Sequence, residues 1–157
     1  MNATTDISDA QPRAGVLDPI LRHFGGRSHF EGPVRTVRTF EDNVLVVQAL
    51  ETIEPGEVLV VDAGGSLRCA LVGDRLARIA VDRGIPGILV YGGVRDTAAI
   101  GSMDVGVMAL TSHPRRSRKD GIGERDCPVT FGTVTFSPGD RLYADEDGVV
   151  VVPTALV

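Results

Sequence analysis

The chain has 157 residues, which suits one domain with a full hydrophobic core and argues against a multidomain protein. Apolar residues make up 43% of the sequence, which excludes a disordered chain, and aromatic residues only 4%, so the core must consist of Val, Ile, Leu and Ala. The formal net charge of −5 argues against direct, non-specific binding to nucleic acid.

The N-terminal sequence and the cysteines indicate the compartment. No apolar run reaches the roughly 18 residues of a membrane span, and the first residues lack the basic start and apolar stretch of a signal peptide. Cys69 and Cys127 form no CxxC pair, which excludes a zinc ribbon or a thioredoxin motif. We therefore expect a cytoplasmic protein with reduced thiols and no contact with a membrane.

The start of the chain is polar. Residues 1–15 predict a disordered N-terminal tail, so that a single domain spans residues 16–157. The pair Asp18-Pro19 predicts the start of a helix, because Asp is a common N-cap and Pro is tolerated at the first helical position.

The middle of the chain predicts strands alternating with helices. Continuous apolar runs of strand length indicate strands covered on both faces. Apolar residues at helical spacing, with a glycine as C-cap, predict a helix between them. The predicted elements are a strand at 34–40, a short helix capped by Asp42 or Asn43 and ending near Leu50, a strand at 58–63, a helix from Arg68 to Arg83 ended by Gly84, a strand at 88–92, a short helix from Asp96 to Ile100 and a strand at 106–112.

The last third predicts short strands separated by Gly, Pro and Asp, at 128–131, 134–136, 140–146 and 149–153. The middle supplies β-α-β units and the end supplies antiparallel strands. The sequence therefore predicts a mixed α/β domain with more than one small sheet.

Two segments beside predicted strands carry the residues best suited to chemistry. They are LVGDRL at 71–76 and YGGVRDTAAI at 91–100. Loops at the ends of strands in α/β folds are common ligand sites. We expect the backbone N–H groups of Gly73 and of the pair Gly92-Gly93 to face an incoming anion.

Three charged side chains in these segments are the candidate functional groups. Arg95 offers a planar fork for a carboxylate, and Asp74 and Asp96 are hard oxygen ligands or bases. The structural alternative is a surface salt bridge, with Asp96 as the N-cap of the next helix and Asp74 as an ordinary helix-face carboxylate.

Other patterns are weaker. The segment 58–66, VLVVDAGGS, is similar to the start of a nucleotide or S-adenosylmethionine site, but G-x-G-x-x-G is absent and a strand with a glycine turn suffices. The basic run at 115–119 is most simply a solvated loop. The three histidines do not have the spacing of a metal motif, and no G-x-S-x-G elbow of a serine hydrolase occurs.

Six segments of the chain form a specific combination. They are FGGRSHFEGPVRTV, VLVVDAGGSLRCALVGD, GILVYGGVRD, ALTSHPRRS, GERDCPVTFGTVTFSPGD and YADEDGVVVVP. Together they resemble the ribonuclease E activity regulator A family, which shares its fold with the class II 4-hydroxy-4-methyl-2-oxoglutarate aldolases. The resemblance extends from about residue 16 to residue 153. It implies a three-layer β/β/α fold, similar to the swivelling domain of phosphotransfer enzymes, and ring-like homotrimers with the pocket near a subunit interface.

The resemblance also implies roles for individual residues. Gly73, Asp74, Arg75 and Leu76 match the loop whose backbone holds the pyruvate end of the substrate. Arg95 matches the arginine on the substrate's carboxylate and carbonyl. Asp96 matches the only protein carboxylate on the divalent metal, and Asp74 one that orients a water on that metal.

The implied activity is that of a divalent-metal lyase on small 2-oxo acids, with Mg²⁺ the expected ion and Mn²⁺ an alternative. Retro-aldol cleavage of 4-hydroxy-4-methyl-2-oxoglutarate and decarboxylation of oxaloacetate both pass through a pyruvate enolate. Aldolases of this group are often longer and bring an acidic residue into the neighbouring site. We identify no counterpart of that residue, so decarboxylation is expected to be the easier reaction.

A different class of function also fits the resemblance. The chain could be a non-catalytic inhibitor that binds a ribonuclease E-type endoribonuclease through protein contacts. Its acidic charge suits the masking of a basic RNA-binding region, and this role requires no catalytic residues.

Overall fold

The computed structural model describes residues 2–156, which fold into one mixed α/β domain as the sequence predicts. Its strands are β1 (Gly15–Val16), β2 (Arg22–His23), β3 (Phe30–Arg38), β4 (Val58–Asp62), β5 (Ala70–Val72), β6 (Gly87–Val94), β7 (Gly106–Ser112), β8 (Glu124–Arg125), β9 (Val129–Phe131), β10 (Val134–Phe136), β11 (Arg141–Asp145) and β12 (Gly148–Val152). Its helices are α1 (Thr4–Ala10), α2 (Val44–Thr52), α3 (Asp74–Arg83) and α4 (Thr97–Ile100), with a 3-10 turn at Thr154–Leu156.

A parallel sheet in the order β3, β4, β6, β7 forms the centre of the domain. β5 pairs with the last residues of β6, beyond the point where the pairing of β4 with β6 ends at Asp62 and Tyr91. The chain segments that join these parallel strands contain α2 and α3, as β-α-β units require. The neighbouring strands β5 and β6 therefore end at the same edge of the sheet.

Alternate side chains of the central strands face two separate cores, because successive residues of a strand point to opposite faces. Leu59 and Val61 of β4 pack with α2 and α3, whereas Val58 and Val60 pack with β9, β10, β11 and β12. The arrangement is a β/β/α stack of three layers, with the helices covering one face of the central sheet.

Strand β3 joins the two β layers. Its residues from Phe30 to Pro33 pair antiparallel with β11, and its residues from Val34 to Arg38 pair parallel with β4. Because one continuous strand takes part in both pairings, the two β layers are fixed relative to each other.

Most predicted elements of the middle and end are confirmed, with one correction before the candidate site. The predicted helix from Arg68 to Arg83 begins only at Asp74, because the buried residues 70–72 form β5 on the edge of β6. Short apolar runs suit a buried strand as well as a helix, so the sequence could not separate the two. The helix ends at Gly84 in the left-handed conformation (φ 73°), as predicted.

The N-terminal predictions are wrong in two places. Residues 4–10 form α1, and Thr4 is buried because its backbone N–H and its hydroxyl both donate to the carboxylate of Asp145 (2.8 and 2.7 Å). At Asp18-Pro19 the chain makes a turn instead of starting a helix, and it then enters β2, which pairs with β7. Both outcomes depend on partners distant in sequence.

No helix among residues 2–156 is long and apolar enough to span a membrane.

The Thr4–Asp145 contact gives a test of the ordered N-terminus. We expect Thr4→Val to lower the free energy of unfolding by about 1–2 kcal/mol, because it removes a hydrogen bond to a buried carboxylate. Burial opposes the charged form of Asp145, but the bonds from Thr4 and Asp147 prevail and hold its pKa below the ordinary carboxyl value. The difference from wild type in urea denaturation should therefore be full at pH 7 and should shrink as the pH falls through the pKa of the folded state.

The matched control is Thr5→Val, which makes the same chemical change at an exposed position of α1. Equal effects of the two substitutions would contradict a specific role of Thr4.

Candidate functional site

The ends of β5 and β6 bring the two predicted site segments together. The backbone N–H of Arg95, directly after β6, donates to the carbonyl of Val72 at the end of β5 (2.9 Å). The guanidinium of Arg95 donates to the carbonyl of Pro114 (3.4 Å). Arg95 is thus placed at the carboxyl edge of the sheet, where ligands of open α/β folds commonly bind.

Asp96 has an unusual backbone conformation and a specific contact. It lies in the left-handed region (φ 57°, ψ 41°), which is costly for a non-glycine residue. Its side chain does not cap α4, although Asp96 is the N-cap residue. Its Oδ2 atom instead accepts a hydrogen bond from the backbone N–H of Asp74 (3.1 Å). The carboxylate is therefore directed toward the start of α3.

Gly73 makes this approach possible. A Cβ atom at position 73 would lie 2.6 Å from Oδ2 of Asp96 and 3.4 Å from Cγ of Arg95. The φ of Gly73 is −125°, which any residue adopts, so the requirement for glycine here is steric. The glycine lets Asp96 come within hydrogen-bond distance of the α3 N-terminus.

The N-terminus of α3 presents backbone donors to the same space. The first intrahelical bond runs from Ala77 N–H to Gly73 carbonyl (3.0 Å), so the helix supplies no acceptor for the N–H groups of residues 74–76. Asp96 accepts one of them. The other two, on Arg75 and Leu76, remain at the positive end of the helix dipole, which favours an anion.

Six of the predicted site residues line one small cavity of about 60 Å³. They are Gly73, Asp74, Arg75, Leu76, Arg95 and Asp96. The cavity also contains residues that were not predicted as site residues, namely Asn43, Arg116, Ser117 and Lys119, together with Ala70 and Leu71. Its lining combines four cationic side chains with two carboxylates, so it suits a small anion.

The basic run at 115–119 forms one wall of this cavity, and its four charged side chains are exposed, as a solvated loop predicts. Its backbone is held on both sides, because Ala70 N–H donates to Arg115 carbonyl and Arg118 N–H donates to Glu41 carbonyl (both 2.8 Å). Arg116 and Lys119 face the cavity as a result.

The buried carboxylate of Asp42 fixes the backbone directly after the basic run, at residues 120 and 121. It accepts hydrogen bonds from the backbone N–H groups of Val44, Asp120 and Gly121 at 3.0, 2.8 and 2.9 Å. Burial alone would raise the pKa of the Asp42 carboxyl, but these donors outweigh it and lower the pKa below its ordinary value. The carboxylate therefore stays charged and anchors a loop that lies 78 residues away in sequence.

Asn43 and Lys119 complete the polar lining. Lys119 Nζ donates to Asn43 Oδ1, and Asn43 Nδ2 donates to the carbonyl of Leu71 (both 3.0 Å). The sequence predicts Asn43 only as a possible helix cap. Its buried position beside β5, in contact with a distant lysine, depends on the tertiary fold.

The prediction for Gly92-Gly93 is wrong. Both glycines are buried inside β6, and their backbone belongs to the sheet. A Cβ atom at Gly92 would lie 2.7 Å from Cβ of Ala63, and one at Gly93 would collide with the carbonyl of Cys69. The pair allows close packing and does not offer N–H groups to an anion.

The glycine loop after β4 is not a nucleotide-binding loop. Its N–H groups already have acceptors within the protein: Gly64 donates to Asp62 Oδ1 (2.9 Å), Gly65 to the carbonyl of Tyr91 (3.1 Å) and Ser66 to the carbonyl of Ala63 (3.4 Å). The loop leads into β5 and not into a helix. It therefore lacks the free helix N-terminus that binds phosphate groups.

The donor set of the cavity fits a hydrated divalent ion. Residues 2–156 contain no group of three or more His, Cys, Asp or Glu side chains that could enclose a metal. Asp96 and Asp74 are exposed carboxylates at one site, and hard oxygen donors of this kind suit Mg²⁺, which usually keeps several waters and binds through one or two carboxylates.

Known proteins with similar sequences support a common family. The chain matches the model of the RraA-like family, described as Aldolase/RraA, over residues 4–151. A relative from Deinococcus radiodurans, provisionally named 4-hydroxy-4-methyl-2-oxoglutarate aldolase, is 54% identical over 149 residues, which cover 95% of this chain and 93% of that protein.

Two solved structures are similar to the whole domain, each with a TM-score of 0.95. One, from Geobacillus kaustophilus, is described as an S-adenosylmethionine:2-dimethylmenaquinone methyltransferase; it is 49% identical, and the match covers 97% of this chain and 95% of that one. The other, from Thermus thermophilis, is described as the RNA-processing inhibitor RraA; it is 46% identical, with coverage of 98% and 93%. Sequence and structure together establish that the chain belongs to the RraA-like family.

Proposed function

We propose that the chain is a divalent-metal-dependent lyase of the 4-hydroxy-4-methyl-2-oxoglutarate aldolase type, active as a homotrimer. It would cleave 4-hydroxy-2-oxo acids to pyruvate and also decarboxylate oxaloacetate through the same pyruvate enolate. The observation that carries the proposal is the cationic cavity in which Arg95, the Asp96 carboxylate and the start of α3 meet.

Binding of the substrate follows from the charges of the cavity. The carboxylate and oxo group of a 2-oxo acid fit the N–H groups of Arg75 and Leu76 and the guanidinium of Arg95. The same groups stabilise the negative charge that develops on the oxo oxygen as the enolate forms. They are held by the sheet edge and the helix, so little reorganisation is needed when this charge appears.

Proton transfer is the proposed role of Asp74. In the retro-aldol direction the C4 hydroxyl loses a proton, the C3–C4 bond breaks, and its electron pair forms the enolate. The Asp74 carboxylate, acting through a water, accepts that proton and later returns one to C3. Asp74 is exposed at the cavity, which leaves room for this water.

The metal would be held by Asp96, with Asp74 nearby, and Mg²⁺ or Mn²⁺ suits these oxygen donors. When bound, such an ion supplies a Lewis acid that lowers the energy of the enolate. The hydrogen bond from Asp74 N–H to Oδ2 orients the Asp96 carboxylate independently of any ion.

Removal of the Asp96 carboxylate tests the proposal directly. With Mg²⁺ present, we expect Asp96→Ala and Arg95→Ala each to lower kcat/KM for pyruvate release from oxaloacetate by about 100-fold or more, because each loses a group that stabilises the enolate. EDTA should abolish the wild-type activity, and Mg²⁺ should restore it.

Asp82→Ala is the matched control, because it removes an exposed carboxylate of α3 that does not line the cavity. Its activity should equal that of the wild type. Activity that survives both EDTA and Asp96→Ala would falsify the proposed mechanism.

Gly73→Ala probes the position of the carboxylate without removing it. The added methyl group would displace Oδ2 of Asp96, while the backbone of residue 73 can remain as it is. We expect a melting temperature within a few degrees of the wild type. At least a tenfold higher Mg²⁺ concentration should be needed for half-maximal activity, because a change in the groups that orient a metal ligand typically weakens metal binding by that much. An unchanged Mg²⁺ titration would show that the close approach of Asp96 to residue 73 is irrelevant to metal binding.

A second candidate function is inhibition of a ribonuclease by protein binding, since a similar solved structure is described as an RNA-processing inhibitor. The acidic net charge suits a basic partner. A pull-down with a ribonuclease E-type enzyme, paired with the pyruvate assay, separates the two roles. We expect Arg95→Ala to abolish pyruvate release. Ribonuclease binding by a wild-type protein that releases no pyruvate with Mg²⁺ would favour the inhibitor.

A further inference from the structure

A second, larger cavity of about 330 Å³ adjoins the candidate site. It shares Arg116 and Ser117 with the candidate site, so the basic run at 115–119 lies between the two cavities. We refer to it as the arginine cavity, because its lining contains four guanidinium groups. They belong to Arg68, Arg115, Arg116 and Arg118.

The backbone that carries three of these arginines is fixed by the fold. Ala70 N–H donates to the carbonyl of Arg115, and Arg118 N–H donates to the carbonyl of Glu41 (both 2.8 Å). Ser117 is buried between them, and its hydroxyl donates to the carbonyl of Arg118 (3.0 Å). Arg68 comes from a different segment, between β4 and β5. The cationic side chains therefore enter the cavity from two separate parts of the chain.

The guanidinium groups of the arginine cavity have no anionic partner in the protein. Among residues 2–156, no carboxylate lies within 4.0 Å of the nitrogens of these four groups. Glu41 is the one carboxylate that residues 2–156 contribute to the lining, and it accepts a hydrogen bond from the hydroxyl of Ser66 (2.6 Å). Unpaired cations that are grouped in a cavity attract an anion from solution.

The thiol of Cys69 does not supply the missing negative charge. Cys69 is buried in the wall of the cavity. Burial raises the pKa of its thiol, and Glu41 acts in the same direction, whereas the charges of Arg118 and Arg115 act against them. The thiol therefore stays neutral near pH 7.

The charge and the size of the arginine cavity indicate the class of anion. Four guanidinium groups against one carboxylate leave an excess of three positive charges. A carboxylate carries one negative charge, whereas a phosphate monoester carries roughly two and a diphosphate roughly three near pH 7. The cavity of about 330 Å³ has room for roughly ten water molecules at about 30 Å³ each, so a diphosphate group fits within it.

We propose that the arginine cavity is a binding site for a diphosphate group, present either as inorganic diphosphate or in a nucleoside diphosphate. Arg68 on one side and Arg115 and Arg118 on the other hold the two phosphate groups. Planar guanidinium groups suit this task, because each can donate two parallel hydrogen bonds to phosphate oxygens. The site does not require the lyase activity, since Arg68, Arg115 and Arg118 do not line the candidate site.

Calorimetry of the full chain tests the site without any turnover. The probes are inorganic diphosphate and inorganic phosphate, in a buffer with EDTA so that no divalent ion bridges ligand and protein. We expect the wild type to bind diphosphate at least about tenfold more tightly than phosphate, because the second phosphate group meets further unpaired cations. Arg68→Ala and Arg115→Ala should each weaken diphosphate binding about tenfold or more, as the loss of a charged hydrogen bond implies.

Arg78→Ala is the control for the change in net charge, because Arg78 is exposed on α3 and lines neither cavity. It should bind diphosphate as the wild type does. Equal affinity of the wild type for diphosphate and phosphate, no binding of diphosphate, or an equal effect of Arg78→Ala and Arg115→Ala would overturn the site. Thermal melting confirms that each variant is folded.

A third probe, ADP, distinguishes the two sources of the diphosphate group. Binding of ADP that is at least as tight as that of inorganic diphosphate, and is weakened by Arg115→Ala, assigns the site to a nucleotide. Weaker binding of ADP assigns it to inorganic diphosphate, because the nucleoside then finds no room beside the guanidinium groups.

Discussion

The roles proposed for Asp74, Arg95 and Asp96 all depend on the hydrogen bond from the backbone N–H of Asp74 to the carboxylate of Asp96. It joins the loop after β5 to the loop after β6, at the edge where both strands end. It fixes the carboxylate beside the positive end of α3, where a negative group is stabilised. It also helps to hold Asp96 in its left-handed conformation. A backbone strain of this kind persists only where surrounding contacts require it.

Three glycines of the two segments allow that hydrogen bond, because a side chain at each position would collide with a neighbouring group. Gly73 leaves room for the Asp96 carboxylate, and Gly92 and Gly93 let β6 pack against Ala63 and the carbonyl of Cys69. The last contact matters because β5 and β6 must be neighbours for their loops to meet. In the motif Gly92-Gly93-Val-Arg95-Asp96, the glycines therefore allow the packing of β6, and the positions of Arg95 and Asp96 depend on that packing.

Much of the fold and the centre of the site could be predicted from the sequence. Buried parallel strands are continuous apolar runs, and loops at the ends of strands in α/β folds are common ligand sites, which identified Asp74, Arg95 and Asp96 as candidates. The same reasoning could not place Arg116 and Lys119, because they reach the cavity only through the bonds that Asp42 and residue 70 make with a distant loop. It also missed α1, since nothing near Thr4 in sequence signals its partner at the other end of the chain.

The distribution of charge explains how an acidic protein can attract an acidic substrate. Among residues 2–156, the basic side chains that form salt bridges line neither the candidate site nor the cavity beside it. Examples are the pairs of Arg27 with Asp104 and of Arg35 with Asp126. The basic run is different, because its backbone is bonded to the sheet edge while its guanidinium groups stay unpaired. Unpaired cations grouped in a cavity focus the local field, so the overall charge of −5 does not decide which ligand binds there. An anion at these groups lies close to the cations, whereas the distant acidic surface is screened by salt.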